Sequence, residues 1–158
     1  MIEPSNVYEG LRQRFLAIEP PADATPGDSV YAVLIEVGME KLTTSIAATS
    51  AGDASLYLST GGGILGGQGI ADARESAKRL VIVAAGLLEQ AEAVEATNGP
   101  APGEMVVFLL TRDGLRSTRQ PVSGKFMPDD PLIALVHEQG VLLKALQAGR
   151  TKGIAAAP

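Results

Sequence analysis

The sequence predicts an α+β protein with one five-stranded, mainly antiparallel sheet and the element order α-βββ-α-ββ-α. Two nearly continuous apolar runs, 30–37 and 104–111, have the length and composition of central strands covered on both faces. Shorter alternating segments bounded by turn residues adjoin both runs. Two longer segments repeat apolar residues at helical spacing. The length of 158 residues suits one domain, predicted over residues 1–148 with a flexible tail over 149–158.

The first predicted element is a short helix that begins at Ser5, because serine is a common helix cap. Arg12 and Arg14 are predicted to face away from the core. The prolines of residues 19–28 make that segment a connector to the sheet. The apolar face of the helix consists of Val7, Tyr8, Leu11, Phe15 and Leu16.

A three-stranded meander is predicted next. Its first strand is the apolar run 30–37, and its second is Thr43–Ser50, which is built from small residues and threonines. The turn Ala51-Gly52-Asp53 leads into the third strand, Ser55–Ser59. These strands are expected to pair with their neighbours in sequence.

The longest predicted helix runs from Asp72 to about Ala96 and has one wide apolar face. Asp72 and Glu75 have the spacing of a capping box at its start. The sequence Asn98-Gly99-Pro100 then stops any further helix.

The last elements are a hairpin and a helix. Asp113-Gly114 predicts a tight turn from strand 104–111 into a polar edge strand, Leu115–Arg119. Asp130 is the expected cap of the final helix, and Pro131 is its expected first residue. Its predicted core-facing residues are Leu132, Leu135, Val136, Leu142, Leu143 and Leu146.

The predicted order of the five strands in the sheet is 3-2-1-4-5, with the apolar strands inside. A crossover through the long helix would make strands 1 and 4 parallel. The alternative order, 3-2-1-5-4, is fully antiparallel.

Composition excludes several chemistries. The chain has no cysteine and one histidine, so cysteine-ligated metals, thiolate catalysis and multi-histidine metal sites are excluded, and no cofactor is expected. The net charge of -5 argues against nucleic acid and anionic membranes as partners. A cytoplasmic location is expected from the lack of cysteine and of an apolar leader. The positive mean hydropathy of +0.17 favours a homodimer that covers apolar surface.

The segment 59–69 contains six of the 18 glycines of the chain. Gly61, Gly63 and Gly66 match a dinucleotide-binding fingerprint, but the predicted helix starts well beyond the motif. Two interpretations remain: glycines required by backbone geometry, or a loop that binds an anion or small ligand with Arg74, Lys78 or Arg79. The candidate ligand-binding residues are Glu36, Gly61, Gly62, Gly63, Gly66, Gly67 and Arg74.

Glu36 interrupts an otherwise apolar strand, and a buried carboxylate without a partner is costly. It is expected either to reach water or to pair with an arginine such as Arg112 or Arg116. The functional alternative makes Glu36 a site carboxylate.

Three arginines concentrate positive charge on the last hairpin: Arg112, Arg116 and Arg119. They protect a sheet edge or bind an acidic partner protein. His137 lies off the apolar stripe of its helix and is expected to be solvated.

The segments YAVLIEVG, SLYLSTGGGILGG, ARESAKRL and FLLTRDGLR resemble those of a group of small bacterial proteins with no assigned function, over residues 30 to about 146. This resemblance implies no activity. The element order and acidic charge are also similar to type III secretion chaperones, which implies homodimeric binding of partner polypeptides.

These observations favour a non-enzymatic, homodimeric protein-binding module that is chaperone-like, an adaptor or an immunity-type inhibitor. No catalytic residues are assigned, because no nucleophile motif is present. The alternative is a small-molecule or nucleotide-binding protein that uses the glycine-rich loop.

Overall fold

The computed structural model describes residues 4–22, 30–123 and 129–156, which form three layers. A central sheet has one helix on its first face and two helices on its second. Each face of the sheet therefore has its own apolar core, and the core on the two-helix side is the larger. The α+β class predicted from the sequence is confirmed.

The helices are α1 (Pro4–Leu16), α2 (Ala71–Ala84) and α3 (Pro131–Ala156). Short 3₁₀ helices occupy Gly67–Gly69 and Ala85–Gln90. The strands are β1 (Ala32–Gly38), β2 (Thr43–Thr49), β3 (Ala54–Leu58), β4 (Gly63–Ile64), β5 (Glu92–Ala93), β6 (Glu104–Thr111) and β7 (Gly114–Pro121).

The sheet order over the described residues is β4-β3-β2-β1-β6-β7-β5, with every neighbouring pair antiparallel. The five longer strands follow the predicted order 3-2-1-4-5. The predicted count of five is wrong, because a two-residue strand is added at each edge. These edge strands are too short to produce a periodic signal in the sequence.

The predicted parallel pairing of the first and fourth strands is also wrong, because β1 and β6 are antiparallel. After α2 the chain follows the outer edge of β7 as β5 and then passes to the α1 side, where the carbonyl of Thr97 accepts a hydrogen bond from Arg12. It enters β6 beside the end of β1, where the amide of Gly103 donates to the carbonyl of Gly38 at 2.8 Å. Because of this path, β6 runs antiparallel to β1, opposite to the predicted direction.

Helix α2 ends at Ala84, twelve residues before the predicted end at Ala96. A 3₁₀ segment containing Gly86 follows, and β5 then pairs with β7. The predicted capping box is absent, since Ile70 holds the N-cap position and no side chain caps it. Asp72 lies in the first turn, where a carboxylate still interacts favourably with the helix dipole.

The ends of the other two helices agree more closely with the sequence. The predicted cap of α3 is confirmed, because Asp130 Oδ1 accepts a hydrogen bond of 2.9 Å from the amide of Leu132 and Pro131 is the first helical residue. The helix continues to Ala156, so flexibility of residues 149–158 stays a prediction. Helix α1 begins at Pro4, which places Ser5 inside the first turn and not at the cap. Most of the predicted connector, residues 23–28, lies outside the described residues.

Candidate functional site

The most polar part of the interior is centred on Glu36 in β1. Its side chain lies on the α1 face of the sheet and is fully buried. Both carboxylate oxygens accept hydrogen bonds from Nε of Arg12, at 2.9 and 2.8 Å. Ser45 Oγ donates to Glu36 Oε2 at 2.7 Å, and the Tyr8 hydroxyl donates to the same oxygen at 3.1 Å. The charge partner is thus Arg12, and the expected pairing with Arg112 or Arg116 is wrong.

Arg12 is only 3% exposed, so the prediction that it faces away from the core is wrong. Its guanidinium also bonds Glu9 at 3.2 Å and the carbonyl of Thr97, and it lies 5.4 Å from the centre of the Phe108 ring. Burial alone lowers the pKa of Arg12, but the hydrogen bond and charge of Glu36 outweigh it, so the pKa is raised. Arg12 therefore stays protonated and ties α1 to both the sheet and the segment before β6.

Tyr8 lies one helical turn before Arg12, on the same side of α1. Burial raises the pKa of Tyr8 from its ordinary value of 10.0 to about 12. The charge and hydrogen bond of Glu36 act in the same direction, while Ser45, whose Oγ lies 2.7 Å from the Tyr8 hydroxyl, and the charge of Arg12 oppose it.

A folded pKa above the unfolded value adds stability that is complete below pH 10.0 and is lost as the pH rises toward about 12. Tyr8→Phe should therefore lose less stability than the wild type across this interval, measured by urea denaturation at successive pH values. The pKa values of Tyr31 and Tyr57 are raised by burial too, but both residues are present in each protein and cancel in the comparison. Equal losses of stability in Tyr8→Phe and the wild type would contradict the raised pKa of Tyr8.

The Glu36 carboxylate is buried and accepts hydrogen bonds from three side chains. This geometry suits a structural role, holding α1 on the sheet, better than proton transfer. A polar cleft of about 330 Å³ lies over the outer side of this cluster, lined by Tyr8, Arg12, Gln13, Thr43 and Asn98. Glu36 itself does not line the cleft.

The glycine-rich stretch forms a tight hairpin between β3 and β4. Gly61, Gly62 and Gly63 all have positive φ, a conformation that favours glycine. The amide of Gly61 donates to the carbonyl of Leu58 at 2.9 Å, and the Leu58 amide donates back to Gly62 at 3.2 Å. A Cβ on Gly63 would lie 2.1 Å from the carbonyl oxygen of Leu56. Turn geometry and close strand approach account for these three glycines.

The remaining glycines of the stretch shape the 3₁₀ turn. Gly66 has a φ of 74°, and its carbonyl accepts the amide of Gly69 at 3.1 Å. A Cβ on Gly67 would lie 2.8 Å from both the Ala54 carbonyl oxygen and a methyl of Leu146. Gly66 also lines a cleft of about 310 Å³ between α1 and the β2–β3 hairpin.

The residues of the predicted ligand site do not converge. Arg74 lies on α2, on the opposite face of the sheet from the carboxylate of Glu36. Its Nε is 3.9 Å from Glu75, and its side chain covers Gly52. Of the predicted set, only Gly66 lines a cleft described above.

The three arginines of the last hairpin hold connecting segments in place. Arg112 donates to the carbonyl of Pro21 at 3.3 Å, and Arg116 donates to Ala91 at 3.5 Å. Arg119 donates to the carbonyls of Asn98 and Gly99 and to Glu104, the last at 3.1 Å. These contacts are internal, and binding of an acidic partner by the arginines stays a prediction.

Helices α2 and α3 pack antiparallel, and each exposes apolar side chains. Arg79 forms an ion pair of 3.6 Å with Glu138, and Gly86 lies against Pro131. Ile82 on α2 is 73% exposed, and Ile133 and Val136 on α3 are 42% and 43% exposed. We call Ile82, Ile133 and Val136 the outer helical patch. Val136 was predicted to face the core, and its 43% exposure corrects that prediction, whereas His137 is exposed as predicted.

No helix among the described residues has the length and apolar character needed to cross a membrane. Within the same part of the chain, no group of three or more histidine or acidic side chains could hold a metal ion.

Comparison with known proteins gives no match to any family model, curated protein or solved structure. The resemblances to small bacterial proteins and to type III secretion chaperones stay predictions.

Proposed function

We propose that the protein is a non-enzymatic, homodimeric protein-binding module, and that two copies associate through the outer helical patch. The observation that carries the proposal is Ile82, an isoleucine on a regular helix that leaves 73% of its surface exposed. Large exposed apolar side chains are candidates for coverage by a partner surface. Ile133 and Val136 are further exposed apolar residues, on the neighbouring helix α3.

The distribution of apolar residues around α3 supports the proposed dimer. Leu132, Leu135 and Leu142 are buried against the sheet side, while Ile133 and Val136 point outward. A helix that is apolar on more than one side needs more than one partner surface. In a two-fold dimer each patch residue contributes twice, and each fully buried isoleucine would add about 1.5–3 kcal/mol.

Replacing Ile82 with glutamate should abolish dimer formation, because two carboxylates would meet at the interface without a partner. Light scattering coupled to size-exclusion chromatography should give 16.3 kDa for this variant and twice that mass for the wild type. Leu65→Glu is the matched control, since Leu65 is 59% exposed but lies in the loop before the first 3₁₀ helix. Equal masses for Ile82→Glu and the wild type would rule out the patch as the interface.

The wider role follows from this surface and from the composition. A net charge of -5 disfavours nucleic acid and anionic membranes as partners, which leaves proteins as the expected class. A chaperone-like, adaptor or immunity-type protein in the cytoplasm fits a chain that has no cysteine.

The alternative, a small-molecule or nucleotide-binding protein, has weaker support. The amides of Gly61 and Gly69 are bonded within turns, and Glu36 and Arg74 lie on opposite faces of the sheet. Such a ligand would have to use the cleft beside Gly66, where Leu11, Phe15 and Tyr57 provide a largely apolar floor.

A further inference from the structure

The outer edge of β7 is only partly covered by β5. The ladder between them has two pairs, Glu92 with Ser117 and Ala93 with Arg116. The amide of Val94 donates to the carbonyl of Leu115 at 3.0 Å, so the odd-numbered residues of β7 direct their backbone groups toward β5. Arg119 is the next residue that faces this way, and no described strand lies beside it. An unpaired stretch of strand edge therefore begins at Arg119.

A groove of about 560 Å³ runs along this stretch. Two polar groups that line it have no hydrogen-bond partner among the described residues: Oγ1 of Thr118 and Nε2 of Gln120. Thr118 is only 9% exposed, so its hydroxyl lacks the compensation that bulk water would give. Gln90, Glu92, Asp130 and Leu132 also line the groove. The free edge and the unpaired side chains thus meet in one place.

We infer that this groove binds an extended segment of a partner polypeptide, which adds a short strand to the outer edge of β7. An extended peptide offers alternating N–H and C=O groups, which are what the Arg119 backbone, Thr118 Oγ1 and Gln120 Nε2 lack. Pro121 has no N–H to offer, so pairing through backbone donors is confined to the start of the stretch. This inference rests on the proposed function, because it specifies the kind of protein segment that is bound.

The charges around the groove favour a segment with a basic residue. Glu92 is exposed and has no described partner, and Asp130, whose carboxylate caps α3, lines the same groove. The guanidinium groups of Arg116 and Arg119 are directed at Ala91 and at the segment before β6. A lysine or arginine of the peptide would approach Glu92, whereas a phosphate or an acidic segment would be repelled there.

Amide hydrogen exchange measured by NMR tests whether the edge is free. The amide of Arg119 should exchange far faster than that of Val107, which lies in the middle of the sheet. Strong protection of Arg119 in the isolated protein would show that the edge is already occupied and would overturn the inference.

Selection from a phage-displayed library of random peptides tests the occupant. Arg119→Pro removes the outward N–H while leaving the β6 ladder intact, and Arg119→Ala is the matched control, because it loses the same side chain but keeps the N–H. Peptides selected on the wild type should contain a basic residue, should bind Arg119→Pro about tenfold more weakly, and should keep their affinity for Arg119→Ala. Failure to enrich any peptide, or equal binding to both variants, would overturn the inference.

Thr118→Val gives a second, independent readout. It replaces an unpaired buried hydroxyl with a methyl group, so the free protein should melt about 2–4 °C higher while the selected peptides bind more weakly. A variant that is stabilised and binds peptides unchanged would exclude Thr118 from the site. Molar mass measured on the same samples separates the two proposals, since unchanged peptide binding by a dimeric Arg119→Pro variant refutes only the groove.

Discussion

Replacing Arg12 with leucine is expected to lower the free energy of unfolding by about 3–5 kcal/mol. The substitution leaves the carboxylate of Glu36 fully buried without its charge partner. It also removes the donor to the carbonyl of Thr97, which anchors the segment that leads into β6. Arg14→Leu, on the exposed side of the same helix, should change stability by less than about 0.5 kcal/mol.

A double-mutant cycle separates the ion pair from simple packing. Combining Arg12→Leu with Glu36→Leu removes the uncompensated charge, so the double variant should be clearly more stable than Arg12→Leu alone. Urea denaturation followed by circular dichroism gives the free energies of unfolding of the wild type, Arg12→Leu, Glu36→Leu and the double variant. A loss below about 1 kcal/mol for Arg12→Leu would show that Glu36 reaches water and that the cluster does not fasten α1.

Gly63→Ala is expected to destabilise the protein by about 3 kcal/mol. Its φ of 150° lies in the region that favours glycine, and the new Cβ would lie 2.1 Å from the carbonyl oxygen of Leu56. The obstacle is backbone of the neighbouring strand, which cannot rotate away as a side chain would. The register between β3 and β4 would have to change.

Gly69→Ala is the matched control in the same stretch. No atom lies within 4 Å of the added methyl group and its φ is not positive, so stability should stay within about 0.5 kcal/mol of the wild type. Thermal unfolding of both variants gives the comparison. Similar losses at the two positions would mean that the glycines are needed for something other than the hairpin geometry described above.

The sequence was most informative where the signal is local. The central positions of β1 and β6 follow from continuous apolar runs, because only strands covered on both faces tolerate them. The start of α3 was equally accessible, since Asp130 and Pro131 form the cap within three residues. The reversal of β6 was not accessible, because it depends on the path of residues 91–103 around the edge of the sheet.

The buried cluster left a signal that the sequence interpretation did not use. Tyr8, Leu11, Arg12 and Phe15 have the i, i+3, i+4, i+7 spacing of a helix face that points inward. Glu36 interrupts a central strand, so an arginine on an apolar helix face and a carboxylate in an apolar strand could have been paired. The local pattern around Arg12 predicts a solvent-facing side chain, because its partner Glu36 lies 24 residues away in the sequence.

The outer helical patch is not predicted from the sequence, for a different reason. Val136 belongs to the apolar stripe of α3, which predicts a core position, but apolar residues occur on both sides of that helix. Periodicity alone does not distinguish the side that faces the sheet from the side that faces a partner.

The molar mass of the wild-type protein across a range of concentrations, measured by light scattering, tests the central claim most directly. We expect twice the 16.3 kDa of one chain, with dissociation only on dilution. A mass of 16.3 kDa at every concentration would contradict the proposal, because Ile82, Ile133 and Val136 would then remain exposed without a second copy to cover them.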